Sequence, residues 1–200
     1  MKRKVKWSGK LIILASASPR RMQLLQEWGV PHQIKIGFCR ELTQRDAPYF
    51  TARELTQINA LIKAKAVAEK VENRWILAAD TVVVLNRKIL GKPKNLKAAY
   101  NMLCQLSGQV HEVISSVLVL KRKKKKIMGY LSYEISQVRF HSLKPKQIRH
   151  YLKQVHVLDK AGAYAVQEKG GCLIRAICGS RSNVMGLPKR ETLRLLRCIL

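Results

Sequence analysis

The sequence predicts an α/β fold: one mixed, twisted sheet flanked by helices. Two short, continuously aliphatic runs, Leu11-Ile12-Ile13-Leu14-Ala15 and Trp75-Ile76-Leu77-Ala78-Ala79, read as buried strands. Between and after them lie longer stretches whose apolar residues recur at helical spacing behind capping residues. There is no internal repeat, and no low-complexity tract beyond one lysine run, which leaves alternating strands and helices as the organising pattern. With 200 residues, 47% of them hydrophobic, the chain can bury a sizeable core. A single domain over residues 1–200 is expected, with residues 1–10 as a basic N-terminal extension.

In the first run, Leu11 to Ala15 form a strand, and Ser18 followed by Pro19 predicts an N-cap and the first helical position. That helix carries Met22, Leu24, Leu25 and Trp28 and stops at Gly29; Ile34 and Ile36 then alternate with polar residues as a second strand. Thr51-Ala52-Arg53-Glu54 is a capping-box pattern, opening a helix to about Val71 through Leu55, Ile58, Ile62, Ala66 and Ala68. The run from Trp75 delivers Asp80 where its apolar character first breaks. Val82 to Leu85, Asn86-Arg87 and Lys88 to Leu90 predict a hairpin. Asn95 caps a helix with Leu96, Ala99, Met102 and Leu103 that closes near Gly108. Residues 113–120 and 131–140 read as two arms of a β-ribbon around the basic run from Lys121 to Lys126. A helix over 142–155, a short strand over 172–177 and a terminal amphipathic helix over 189–199 complete the series.

Lys and Arg number 39 against 12 Asp and Glu, a formal charge of +27. Such a surplus suits nucleic acid or small anionic substrates. The basic residues are spread over every segment, however, and three Trp, six Tyr and three Phe form no basic-aromatic repeat for base stacking. For residues 121–126 the alternatives are a solvated hairpin turn and a nonspecific polyanion tether. Cys39, Cys104, Cys172, Cys178 and Cys198 are an odd set without a CxxC pair, against a disulfide framework or a structural zinc site. No apolar run approaches the ~20 residues that span a bilayer. A cytoplasmic protein without a membrane segment is the expectation.

Aspartate is scarce: Asp46, Asp80 and Asp159 are all there is. Asp80 is expected at the carboxyl end of a buried strand, where open α/β sheets place ligand crevices; a turn-capping Asp is the alternative. Ser16-Ala17-Ser18-Pro19-Arg20-Arg21 puts two hydroxyls, helix-start amides and two guanidiniums at one junction, which is equipment for binding an anion. A capped helix with two solvated arginines is the alternative reading of that string. Lys63 and Lys92, the latter in Gly91-Lys92-Pro93, are further basic candidates, each alone compatible with a solvent-facing lysine.

Taken together, these stretches resemble the Maf family of nucleoside triphosphate pyrophosphatases from Leu11 to Leu196. The resembling blocks are Leu14-Ala15-Ser16-Ala17-Ser18-Pro19-Arg20-Arg21, Lys63-Ala64-Lys65-Ala66-Val67, Ala78-Ala79-Asp80-Thr81-Val82-Val83, Gly91-Lys92-Pro93, Leu106-Ser107-Gly108 with His111, Asp159-Lys160-Ala161-Gly162-Ala163-Tyr164 with Gln167, and Asn183-Val184-Met185-Gly186-Leu187-Pro188. The resemblance implies an elongated, two-lobed, inosine-triphosphatase-like fold with a central cleft and a homodimer. It implies cleavage between the α- and β-phosphates to a monophosphate and pyrophosphate, with Mg2+ or Mn2+. Asp80 then matches the proton acceptor, Glu41 and Asp80 the metal-associated acids, and Ser16, Ser18, Arg20, Arg21, Lys63 and Lys92 the phosphate-handling positions. Arg20, Thr81 and Gln167 look like the subgroup acting on dTTP and UTP, where a glutamine amide can read a pyrimidine imide edge.

Departures from the pattern are His156-Val157 for a usual Glu-Pro, Asn59 for a usual leucine, and Lys189 after Gly-Leu-Pro for an aliphatic residue. His111 reads as a hydrogen-bonded structural histidine. Clearance of triphosphates or restraint of cell division is the cellular use that the resemblance implies. A nucleic-acid-binding module and a catalytically silent nucleotide-binding regulator are the rival readings.

Overall fold

The computed structural model describes residues 11–167 and 170–199; the basic extension expected at residues 1–10 lies outside them. Seven strands and six helices follow in order: β1 (Ile12–Leu14), α1 (Pro19–Glu27), β2 (His32–Ile34), α2 (Ala52–Ala68), β3 (Trp75–Leu85), β4 (Lys88–Leu90), α3 (Leu96–Leu106), β5 (Val110–Lys123), β6 (Lys126–Phe140), α4 (Pro145–Gln154), β7 (Ile174–Cys178), α5 (Arg181–Val184) and α6 (Lys189–Arg197). The strands make one sheet in the order β2-β1-β3-β5-β6-β7, with β4 paired to β3. It is mixed: β1 runs parallel to β2 and β3, while the β3–β4 and β6–β7 pairs are antiparallel. The predicted α/β class and mixed sheet are thus observed. Among the described residues, no helix is long and apolar enough to cross a membrane.

The chain divides into two compact units, residues 11–80, 115–134 and 186–199 in the first and 81–114 and 135–185 in the second. The first unit is built around a small-residue seam. Ala60, Ala64, Val67 and Ala68 of α2 pack on Ile13, Ile76, Ala78, Leu118 and Leu120 of the strands and on Ala15, just past β1. Removing such aliphatic area from water is the main stabilising term, and alanines let the helix approach the sheet closely. Thr51 caps α2 as predicted, accepting from the Glu54 amide while the Glu54 carboxylate takes the Thr51 N–H. The buried hydroxyls of Thr56 on α2 and Ser116 on β5 hydrogen-bond at 2.7 Å.

In the second unit, Asn95 caps α3 through the Ala98 amide. His111, Phe140 and Tyr164 pack edge to face with centroids 4.9–5.4 Å apart. His111 Nε2 lies 2.8 Å from the Tyr164 hydroxyl, the hydrogen-bonded structural role expected for it. Val157 is fully buried, and its carbonyl and that of His156 accept from the backbone N–H and the ammonium of Lys160. The loop that replaces the usual Glu-Pro is therefore held by backbone carbonyls.

Three expectations need correction. Asp80 does not end a strand: β3 continues to Leu85, because the β-branched run Thr81-Val82-Val83-Val84 keeps the backbone extended. The β5 and β6 arms reach into the lysine run, leaving only Lys124 and Lys125 as the turn, with Lys124 at φ 54°. Ser18 precedes Pro19 at the helix start but makes no side-chain cap. Among the described residues, none of the five cysteines forms a disulfide.

Candidate active site

The residues singled out by the sequence fall in both units. Ser16, Ser18, Arg20, Arg21, Glu41, Lys63 and Asp80 belong to the first; Thr81, Lys92 and Gln167 belong to the second.

Three elements of the first unit converge on Asp80. β3 carries it into the interior, where it is only 6% exposed. An isolated carboxylate there would be costly, so burying it requires partners. Lys63 and Asn59 lie one turn apart on α2 and share a face. Lys63 Nζ donates to Asp80 Oδ1 at 2.6 Å and ion-pairs with Glu41 Oε2 at 3.0 Å. Asn59 Nδ2 donates to the other Asp80 oxygen at 3.4 Å. Lys63 is thus not a solvent-facing lysine; it is the shared cation of two carboxylates.

Glu41 comes from a segment, residues 35–50, without helix or strand. Gly37 lets that segment cross α2 closely: a Cβ there would stand 2.6 Å from the carbonyl carbon and Cβ of Ala66. Any side chain would push the segment off the helix.

At the opening of α1, Arg21 is buried and forked between two acceptors. Its Nε donates to the Gly186 carbonyl at 2.8 Å and its Nη1 to Ser16 Oγ at 3.1 Å. Ser16 Oγ also accepts from the Ser18 amide at 3.2 Å. Burial pulls the guanidinium's pKa below its ordinary value, while the charges of Asp80 and Glu41 push it back up. The reading of two solvated arginines therefore fails for Arg21; Arg20 beside it is half-buried. Hydroxyls, a fixed guanidinium and a helix start coexist at this junction, with an ammonium and two carboxylates in the same unit. That combination can hold anionic oxygens and a small cation together.

In the second unit, Lys92 is exposed on the turn after β4, and Gln167 is half-buried at the end of the loop that follows α4. The two segments are tied: Gly162 N–H donates to the Gly91 carbonyl at 3.1 Å. Gly162 takes φ 70°, and an added Cβ would meet Val83 at 2.9 Å, so both conformation and space require glycine. The Ala165 N–H donates to the Tyr151 hydroxyl at 2.9 Å, which fixes the loop two residues before Gln167. Thr81 follows Asp80 on β3 and is half-buried.

A family model described as Maf-like protein matches residues 11–199. The chain belongs to that family. Its relatives include proteins named dTTP/UTP pyrophosphatase. One from Akkermansia muciniphila is 39% identical over 92% of this chain and 94% of its own length. One from Anaeromyxobacter sp. is 42% identical over 93% of this chain and 88% of its own. Another, from Halalkalibacterium halodurans, is 41% identical over 94% and 95%.

Family membership agrees with the resemblance read from the sequence. What that reading missed is Asn59, noted only as a departure from leucine. A buried helical amide one turn before Lys63 was the available signal. Elsewhere in the first unit, an apolar hollow lined by Phe50, Ile58, Leu61, Leu118 and Leu131 contains none of the site residues.

Proposed function

We propose that this protein hydrolyses a nucleoside triphosphate, dTTP or UTP, between the α- and β-phosphates, yielding the monophosphate and pyrophosphate. The observation that carries the reading is the convergence of Glu41 and Asp80 on Lys63 within a family whose relatives bear a pyrophosphatase name.

In this mechanism Asp80 orients the attacking water and accepts its proton. Its burial among Lys63 and Asn59 holds the accepting oxygens in place. Lys63, Arg20, Arg21 and Lys92 take up negative charge on the triphosphate, and Ser16, Ser18 and the start of α1 bind phosphate oxygens. The donor set also fits a hard divalent cation: Glu41 and Asp80 already share one cationic partner. No group of three or more His, Cys, Asp or Glu that could hold a metal ion exists among the described residues, so these two acids are the protein donors the reading relies on. Glu41 and Asp80 would hold Mg2+ or Mn2+, which supplies charge neutralisation and a more acidic bound water.

Gln167, with Thr81 and Arg20, selects the pyrimidine through an amide that both donates and accepts. The working form is a cytosolic homodimer, with nonspecific polyanion binding through residues 121–126 as an accessory property. The test is incubation with a panel of triphosphates and Mg2+, with products identified. Monophosphate plus pyrophosphate, and a loss of about 10²–10⁴ in Asp80→Asn, are expected. Release of orthophosphate, or full turnover by Asp80→Asn, would reject the reading.

A further inference from the structure

Residue 59 is leucine in the pattern that the sequence resembles, but asparagine here. Its side chain is 3% exposed, and both its amide oxygen and its amide nitrogen are hydrogen-bonded, in three bonds. Oδ1 accepts from the Leu42 N–H at 2.8 Å. Of the two Nδ2 hydrogens, one goes to the Leu42 carbonyl at 3.0 Å and the other to Asp80 Oδ2 at 3.4 Å. The amide thereby pairs with the backbone of Leu42 as a neighbouring strand would, in a segment that has no strand of its own. Glu41 immediately precedes that clamped residue. Of the other buried residues of α2, Leu55, Ala60, Ala64, Val67 and Ala68 are apolar and Thr56 is bonded to Ser116, so apolar packing of the helix does not by itself call for an amide at 59.

We infer that Asn59 is a positioning residue of this protein: one amide fixes the backbone beside Glu41 to an oxygen of Asp80, and so sets how the two carboxylates share a divalent cation. The inference rests on the proposed role of that pair. It concerns geometry, because Asn59 carries no charge and its contact with the proposed reacting groups is the hydrogen bond to Asp80 Oδ2.

The experiment compares wild type with Asn59→Leu, which keeps the volume and removes all three hydrogen bonds. Asn59→Ala serves as the second variant should leucine prevent folding. Mn2+ is titrated into the protein without nucleotide and free Mn2+ is read by electron paramagnetic resonance. Mg2+ dependence of triphosphate turnover and thermal unfolding are measured alongside. The expected result is a rise of about 10–100-fold in half-saturating Mn2+ and Mg2+, with KM for the triphosphate at saturating metal nearly unchanged. A folded Asn59 variant with wild-type metal dependence would overturn the inference, whatever its melting temperature. Glu41→Gln and Asp80→Asn in the same titration separate the two levels. If they lose Mn2+ and the Asn59 variant does not, only the positioning role fails. If they retain wild-type Mn2+ affinity, the carboxylate pair is not the cation site and both ideas fail.

Discussion

The Lys63 ammonium stands 2.6 Å from Asp80 Oδ1 and 3.0 Å from Glu41 Oε2, so one cation on α2 joins carboxylates that lie on a strand and on an irregular segment. Replacing it with glutamine leaves two acids facing each other without that charge. Removing one partner of a largely buried ion pair is destabilising, here by about 1–3 kcal/mol because Glu41 is partly exposed. We expect Lys63→Gln to lower kcat/KM for the triphosphate by about 10²–10³, the scale seen when a positioned electrostatic donor is removed. Steady-state kinetics beside urea unfolding would measure both; wild-type turnover would exclude Lys63 from phosphate handling.

The fold was legible in the sequence wherever local chemistry decided it. Thr51 and Glu54 write a capping box, Asn95 writes a cap, and both form as read. Asp80 shows where local reading stops. A single buried acid looks like the end of an apolar strand, because the partners that make it tolerable, Lys63 and Asn59, lie elsewhere in the chain and are brought over it by α2. Residue spacing alone left Lys63 and Arg21 open to a solvated reading; the family resemblance singled both out, and both side chains are drawn inward onto partners. Asn59 escaped because its significance is a hydrogen-bond geometry to the backbone of Leu42, and no side-chain pattern encodes that.

His111 makes stability depend on acid. Burial lowers its pKa from 6.5 to about 4, and its Nδ1 has no hydrogen-bond partner among the described residues. Protonation would thus place an N–H in the core with nothing to accept it. Above pH ~6.5 the ring is neutral folded and unfolded, and makes no pH-dependent contribution. As pH falls from ~6.5 towards 4, the unfolded chain takes up a proton that the native state refuses, so stability falls, by about 3 kcal/mol in full. His111→Gln should flatten this slope of urea-unfolding free energy against pH, whatever it does to stability at pH 7. An unchanged slope would show that other groups govern it.

Gln167 ends a loop held by Tyr151 through Ala165 N–H and by Gly162 through the Gly91 carbonyl. Such bracing restricts where the amide can point. If that amide reads a pyrimidine imide edge, Gln167→Ala should lower kcat/KM for dTTP and UTP by about 10–100-fold, the value of one or two lost hydrogen bonds, while leaving the rates on purine triphosphates unchanged. The selectivity ratio is the quantity to measure. Equal losses on every triphosphate would point to a loop-stabilising role instead.

The lysine run is a braced hairpin. Lys124 N–H donates to Glu72 Oε1 at 2.8 Å, the Arg122 carbonyl accepts from Asn73 N–H at 2.7 Å, and Lys121 Nζ lies 5.5 Å from the centroid of the Trp75 ring. Lys124 and Lys125 alone form the turn, and the positive φ of Lys124 is one that asparagine accepts readily. Replacing the pair by Asn-Gly should therefore keep the strands intact and remove two charges from the tip. For duplex DNA each phosphate contact contributes about 0.9 to the log-log salt slope, so the slope should fall by at most about 1.8. Triphosphate hydrolysis should be unchanged, since neither lysine belongs to the proposed site. We expect the parent protein to bind polyanions weakly and without sequence preference, in the 10⁻⁴–10⁻⁶ M range that counterion release produces near ~0.15 M salt. Filter binding across a salt series, with hydrolysis assayed on the same samples, decides the matter. Submicromolar, sequence-selective binding that this turn replacement abolishes, together with absent hydrolysis in the parent, would make the positive charge the functional surface and the nucleotide site a relic.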